Sequence, residues 1–130
     1  MSLRIWIVKY GETIPFAPGR EGSHHFRSAE LTRRLIARGH SVTWWTGRFE
    51  HQTKQHLSVE GDTIEIPGNT GSTVRLLDSP GYLSNLSVRR FYDHYIIGRK
   101  FRRAIAQADK PDVIVASMPT PELARACADY

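Results

Sequence analysis

The seven residues Gly19-Arg20-Glu21-Gly22-Ser23-His24-His25 bring together the side chains best suited to gripping an anion and moving a proton. They follow an apolar run and precede a helical pattern. The unpaired first-turn N–H groups of that helix therefore face whatever the loop holds, and glycine lets it come close. Gly19, Gly22 and Ser23 are candidate phosphate-binding residues, with Ser23 also the expected helix cap. Arg20 offers its charge to a phosphate or an acceptor group. His24 and His25 are the catalytic candidates, and as neighbours on a helix they diverge by about 100°, so one at most faces a ligand. A second reading stays open: the glycines only turn the chain, Ser23 only caps, and His25 packs in line with Ala29, Thr32 and Ile36. The loop has neither Gly-x-Gly-x-x-Gly nor Gly-Lys-Ser/Thr, which argues against a dinucleotide fingerprint and a P-loop ATPase.

The remaining chemistry is sparser. The histidines at 24, 25, 40, 51, 56 and 94 form no His-Glu-x-x-His motif, and Cys127 has no second thiol, so no metal site is expected. Asp78 and Glu21 are the carboxylates considered for a nucleophile, and neither stands out by spacing. Arg89, Arg90, Arg99, Lys100, Arg102 and Arg103 crowd one segment in which Asp93 is the lone acid. With the aromatics around it, that segment suits anionic lipid headgroups, giving a peripheral membrane contact. The aromatics otherwise read as core and no recognition module is present, so nucleic acid is not expected as a partner.

The 130 residues allow one domain, 1–130, and the composition, 40% apolar and 24% charged, is that of a globular chain. No apolar run reaches membrane-spanning length. Glu12 directly after the first apolar run argues against a signal peptide, and a single cysteine suits a reducing, cytoplasmic setting. Lys and Arg number 18 against 13 Asp and Glu, a net charge of +5. The excess lies in residues 1–50 and 89–130, while 51–88 is acidic, and such a balance favours an anionic partner.

Leu3–Val8 is continuously apolar, as a strand covered on both faces must be, and Ser41–Thr46 is similar. Between them Ser23–Arg38 reads as a helix ended by Gly39, with Arg33 out of place on its apolar surface. The three make a right-handed β-α-β unit whose ligand-binding edge lies where the first strand ends and the helix begins. Asp62–Ile66 and Thr73–Leu77 are either a short antiparallel hairpin or two separate strands. A long helix over Leu86–Ala108, capped by Ser84 or Asn85, has an expected core line of Val88, Phe91, Tyr95, Gly98, Arg102 and Ile105. Gly98 within it implies close packing or a bend. Val113–Ala116 is a third buried parallel strand, and Pro119 or Pro121 starts a last helix. This defines an α/β class: a Rossmann-like parallel sheet with helices on both faces. The β-α pattern is still running at Tyr130, so a continuation is expected, and an open sheet edge implies edge-strand self-association.

The stretches LRIWIVKYGE, LTRRLIARGHSVTWWT, DSPGYLSNLSVRRFYDHY and KPDVIVASMPTPELA, with the Gly19–His25 loop, resemble the N-terminal half of GT-B fold retaining glycosyltransferases. The likeness is to the large bacterial family 4, in the branch that builds cell-surface polysaccharides and lipopolysaccharide. Its most specific parts are Leu-x-Arg-Arg-Leu-x-x-x-Gly-His-x-Val-Thr at 31–43 and Pro-Asp-Val-Ile-Val-Ala-Ser at 111–117. The resemblance implies an acceptor-side Rossmann-like domain facing a C-terminal domain that holds the nucleotide-diphosphate sugar. This domain would then bind no cofactor by itself. Its acceptor would be a glycan or a lipid-linked sugar, and its location the cytoplasm or the inner face of the membrane. By position, Gly19, Arg20, Gly22, Ser23 and His24 or His25 would line the cleft. The turn from Ser117 to Thr120 would form a second wall, with Tyr82 and Asn85 on the acceptor side.

Two other classes remain alongside. A nucleotide-dependent Rossmann oxidoreductase requires an acid ending the second strand, where this chain has Trp44-Trp45-Thr46-Gly47. A non-catalytic sugar- or lipid-binding module requires no second domain.

Overall fold

Within an unbroken apolar strand, alternation decides which layer each side chain enters. In β1 (Arg4–Val8), Trp6 and Val8 join one hydrophobic layer and Ile7 the other; in β2 (Ser41–Gly47), Trp45 and Trp44 part in the same way. Both strands are therefore buried on two sides. The computed structural model describes residues 1–17, 26–51, 53–68, 71–84, 86–117 and 121–130. The helices are α1 (Arg27–Ala37), α2 (Val88–Ala106) and α3 (Pro121–Asp129), and the other strands are β3 (Phe49–Glu50), β4 (Gln55–His56), β5 (Thr63–Glu65), β6 (Thr73–Leu77) and β7 (Val113–Ala116).

The main sheet has the order β5-β6-β2-β1-β7. β1 is parallel to β2, with Ile5 opposite Val42, and parallel to β7, with Val8 opposite Ala116. β7 is parallel as expected but not buried: as an edge strand it leaves Val113 and Ala116 exposed and Ile114 and Val115 half-buried. β6 continues the parallel run beside β2. β5 alone is antiparallel, pairing Ile64 with Val74, which settles the two open readings in favour of a hairpin. α1 covers one face through Ala29, Leu35 and Ile36, and α2 and α3 cover the other through Ile97, Phe101 and Leu123. The chain is thus an α/β fold with a mixed, mostly parallel five-stranded sheet flanked by three helices. The segment read as irregular between β2 and β5 contains a small second ladder, with Phe49 opposite His56.

Three further expectations are corrected. α1 begins at Arg27 rather than Ser23, and Phe26 at its N-cap makes no side-chain cap bond. The long helix is capped by Ser87, whose Oγ accepts from Arg90 N, rather than by Ser84 or Asn85. Its buried face is also different. The structure buries Asp93, His94, Ile97, Gly98, Phe101 and Ile105, while Val88, Phe91, Tyr92 and Tyr95 are exposed. The buried face lies about a quarter turn from the expected line, because the Asp93-His94 pair, not the aromatics, turns inward. Gly98 is where α3 comes closest: a Cβ there would lie 2.8 Å from Glu122 Cβ. Arg33, the residue that did not fit, is an exposed partner of Glu30 at 2.8 Å.

The orientation of α2 has a direct consequence for stability. Phe101→Ala should lower the unfolding free energy by about 3–5 kcal/mol, and Phe91→Ala should change it by no more than about 0.5 kcal/mol, both measured by urea unfolding. Equal losses at the two positions would mean that α2 presents its other face.

Candidate functional site

The chain leaving β1 crosses through α1 to β2, and the chain leaving β6 crosses through α2 to β7 on the opposite face. The strand order therefore reverses at β1, and a crevice opens beyond the carboxyl ends of β1 and β7, where open α/β sheets place their ligands. A cleft of about 360 Å³ lies there. Lys9–Thr13 after β1 and Phe26–Ser28 at the start of α1 form one side. His51, Tyr82, Arg90, His94 and Ser117 complete it.

A buried carboxylate assembles this wall. Asp93 is fully enclosed and accepts the Tyr10 hydroxyl at 2.6 Å and the Gly81 N–H at 2.7 Å. It thereby ties α2 to the exit of β1 and to the turn after β6. Burial, and the Asp93 carboxylate beside it, push the Tyr10 phenol far above its usual range, so Tyr10 remains the donor. Arg89 strengthens the same clamp, its Nε donating to the Gly81 carbonyl at 3.0 Å. Gly81 is required here on two counts. Its φ is +74°, and a Cβ would sit 2.6 Å from the Phe49 ring.

The clamp presents Tyr82 to the cleft. Its hydroxyl lies 2.6 Å from His51 Nδ1, and Lys54 Nζ is 3.3 Å from the same nitrogen. Lys54 Nζ donates to the His51 carbonyl at 2.7 Å, and with the imidazole proton on Nε2 the Nδ1 lone pair accepts from the Tyr82 hydroxyl. Burial raises the Tyr82 phenol, and burial followed by the Lys54 charge lowers His51, so both groups are neutral near pH 7. His94, edge-on to Tyr10 and Tyr82, is also lowered, burial outweighing the carboxylates of Glu122 and Asp93. The Arg90 guanidinium stands 5.8 Å from the Tyr82 ring centre.

Glu12 changes the electrostatics of the helix start. Its carboxylate accepts from Ser28 N at 3.4 Å and Ala29 N at 3.1 Å, capping α1 from fifteen or more residues away. Amides expected to await an anion are engaged by one already present in the chain. Lys9, Arg27 and Arg90 supply positive charge around it. The site thus joins hydroxyl and imidazole donors, an aromatic edge and a mixed-charge rim.

Of the residues singled out from the sequence, Tyr82 and Ser117 are brought to the same cleft, Ser117 by the bond from its N–H to the Val8 carbonyl at 3.0 Å. Gly19, Arg20, Gly22, Ser23, His24, His25, Asn85 and Thr120 lie outside the described residues. Asp78 is away from the cleft, bonded to Arg48 Nε at 2.9 Å, which lowers its carboxyl. The residues missed were Tyr10, Glu12, His51, Asp93 and His94. Asp93 did carry a signal, being the one acid in a strongly basic helix. Glu12 and His51 carried none, since their partners are remote in sequence. Among the described residues, no group of three or more His, Cys, Asp or Glu could hold a metal, and no helix is long and apolar enough to cross a membrane. Comparison with protein-family models, curated proteins and solved structures found no match to this chain.

Two outcomes follow from these contacts. Asp93→Asn presents an amide where the Gly81 N–H or the Tyr10 hydroxyl needs an acceptor, and should cost about 1–3 kcal/mol in denaturant unfolding. The second concerns pH. An unfolded histidine titrates near 6.5, and the folded values of His51 and His94 are lower. As pH falls below 6.5 the unfolded chain takes up protons that the folded chain refuses, so their stabilising contribution is full above 6.5 and is lost towards the lower folded values. Urea midpoints should therefore drop between about pH 7.5 and about pH 5, and the double variant His51→Gln/His94→Gln should lose less over that range.

Proposed function

We propose that this chain forms the acceptor side of a sugar-transfer cleft, working with a second α/β domain that holds a nucleotide-diphosphate sugar. The observation that carries the reading is the crevice at the strand-order reversal, in which Tyr82, His51, His94, Arg90 and Ser117 converge. Sugars are held by directional donors and acceptors beside an aromatic edge, and that set is what the crevice offers. His51, with Nδ1 engaged by Tyr82, leaves its Nε2–H to donate to an acceptor hydroxyl. A neutral His94 imidazole is suited to receive the proton that an attacking hydroxyl gives up. Arg90 and Lys9 favour an acceptor that carries phosphate or another negative group. The acceptor is then a cell-surface glycan or a lipid-linked sugar, with a retaining transfer as in the enzymes that the sequence resembles.

A dinucleotide oxidoreductase is disfavoured by the end of β2. The position where such enzymes hold a ribose on an acid is Gly47, packed against the Tyr10 ring and Ile97.

Calorimetric titration of the chain with nucleotide-diphosphate sugars should give no binding tighter than about 1 mM, because the donor belongs to the partner domain. Micromolar binding would overturn that division of labour. Titration with anionic oligosaccharides should shift the ring resonances of His51 and Tyr82, and Tyr82→Phe should weaken the response about tenfold. Resonances that do not move would remove the cleft from the reading.

A further inference from the structure

The orientation of α2 leaves a surface that the cleft does not use. Leu83 and Leu86 lead into the helix, and Val88, Phe91, Tyr92 and Tyr95 follow on its outer face, each between 53% and 92% exposed. Spacings of three and four residues carry the same face on to Arg99, Arg102 and Arg103, all exposed. The stripe is therefore divided lengthwise, aromatic and aliphatic first and basic afterwards. The Arg99 guanidinium lies 5.9 Å from the Tyr95 ring, where the two halves meet. Asp93, the only acid of α2, points inward, and Arg102 is matched by Asp129 of α3 at 2.8 Å. Arg99, Lys100 and Arg103 leave this end of the helix positive.

We propose that this face docks on an anionic bilayer, its apolar end entering the headgroup boundary and its basic end lying against lipid phosphates. Tyrosine favours that boundary because its ring is apolar and its hydroxyl stays wet. Charge complementarity selects an anionic surface over a neutral one. Leu83 adjoins Tyr82, so the contact lies beside the mouth of the cleft. The proposal stands on this surface alone and does not depend on the sugar-transfer reading.

Vesicle flotation tests it without any sugar ligand. The chain should float with phosphatidylcholine vesicles in which a third of the lipid is phosphatidylglycerol, and about tenfold less with phosphatidylcholine alone. Phe91→Ser/Tyr95→Ser should reduce binding about tenfold or more with the urea midpoint unmoved. Arg99→Gln/Arg103→Gln should reduce it about 25-fold, at about fivefold per charge. Three results would each overturn the proposal. The chain does not float with anionic vesicles; flotation is undiminished in both variants; or the chain forms a dimer that Phe91→Ser/Tyr95→Ser dissolves, with no lipid binding, which would assign the face to a second copy.

Discussion

The Asp93 carboxylate, enclosed between Tyr10 and the Gly81 N–H, sets the arrangement of everything around the cleft. Enclosing such a group without partners is strongly unfavourable, so the helix that carries it settles where both bonds are made. That position fixes the rotation of α2. It seals Ile97, Phe101 and Ile105 against Trp45 and its neighbours, and turns Val88, Phe91, Tyr92 and Tyr95 outward. The same two bonds draw the exit of β1 and the turn after β6 together, so Tyr82 and His94 face the crevice. Core, cleft wall and outer aromatic face thus share one polar contact.

Around that contact the sheet does the positioning. A parallel β-α-β crossover places each helix start near the exit of the preceding strand, and the reversal at β1 leaves the exits of β1 and β7 without a helix between them. Rigid parallel strands hold Lys9 and Ser117 at that rim, while the short hairpin brings His51 across through its N–H bond to the Gly11 carbonyl. The Gly11 φ of +89° lets β1 exit into that contact. Positive side chains surround the cleft, and the Glu12 carboxylate at the α1 start tempers them. The cleft therefore combines directional neutral donors with a charged rim.

The His40 ring has a structural role at the far end of the sheet. Gly39, with φ +87°, ends α1, and the following amide bonds back to the Leu35 carbonyl. His40 Nδ1 then accepts from Leu3 N at 3.2 Å, joining the helix end to the entry of β1. The Arg-Gly-His signature of the sequence is a helix stop and a strand anchor at the edge of the sheet remote from the cleft.

The sequence by itself determined the α/β class, the strands β1, β2 and β7, and the presence of α1, α2 and α3. These are local properties: a parallel strand beneath covering helices is a short continuous apolar run, and a helix on a sheet must be amphipathic. Tertiary structure alone decided the pairing of β5 with β6, the later start of α1, the phase of α2 and the membership of the cleft. Each depends on a partner distant along the chain, as with Glu12 and Ala29, His51 and Tyr82, or Tyr10 and Asp93. Hydrophobic periodicity records which side chains avoid water; it does not record which buried polar group will find its partner. In α2 that pairing, rather than the aromatic count, chose the inner face.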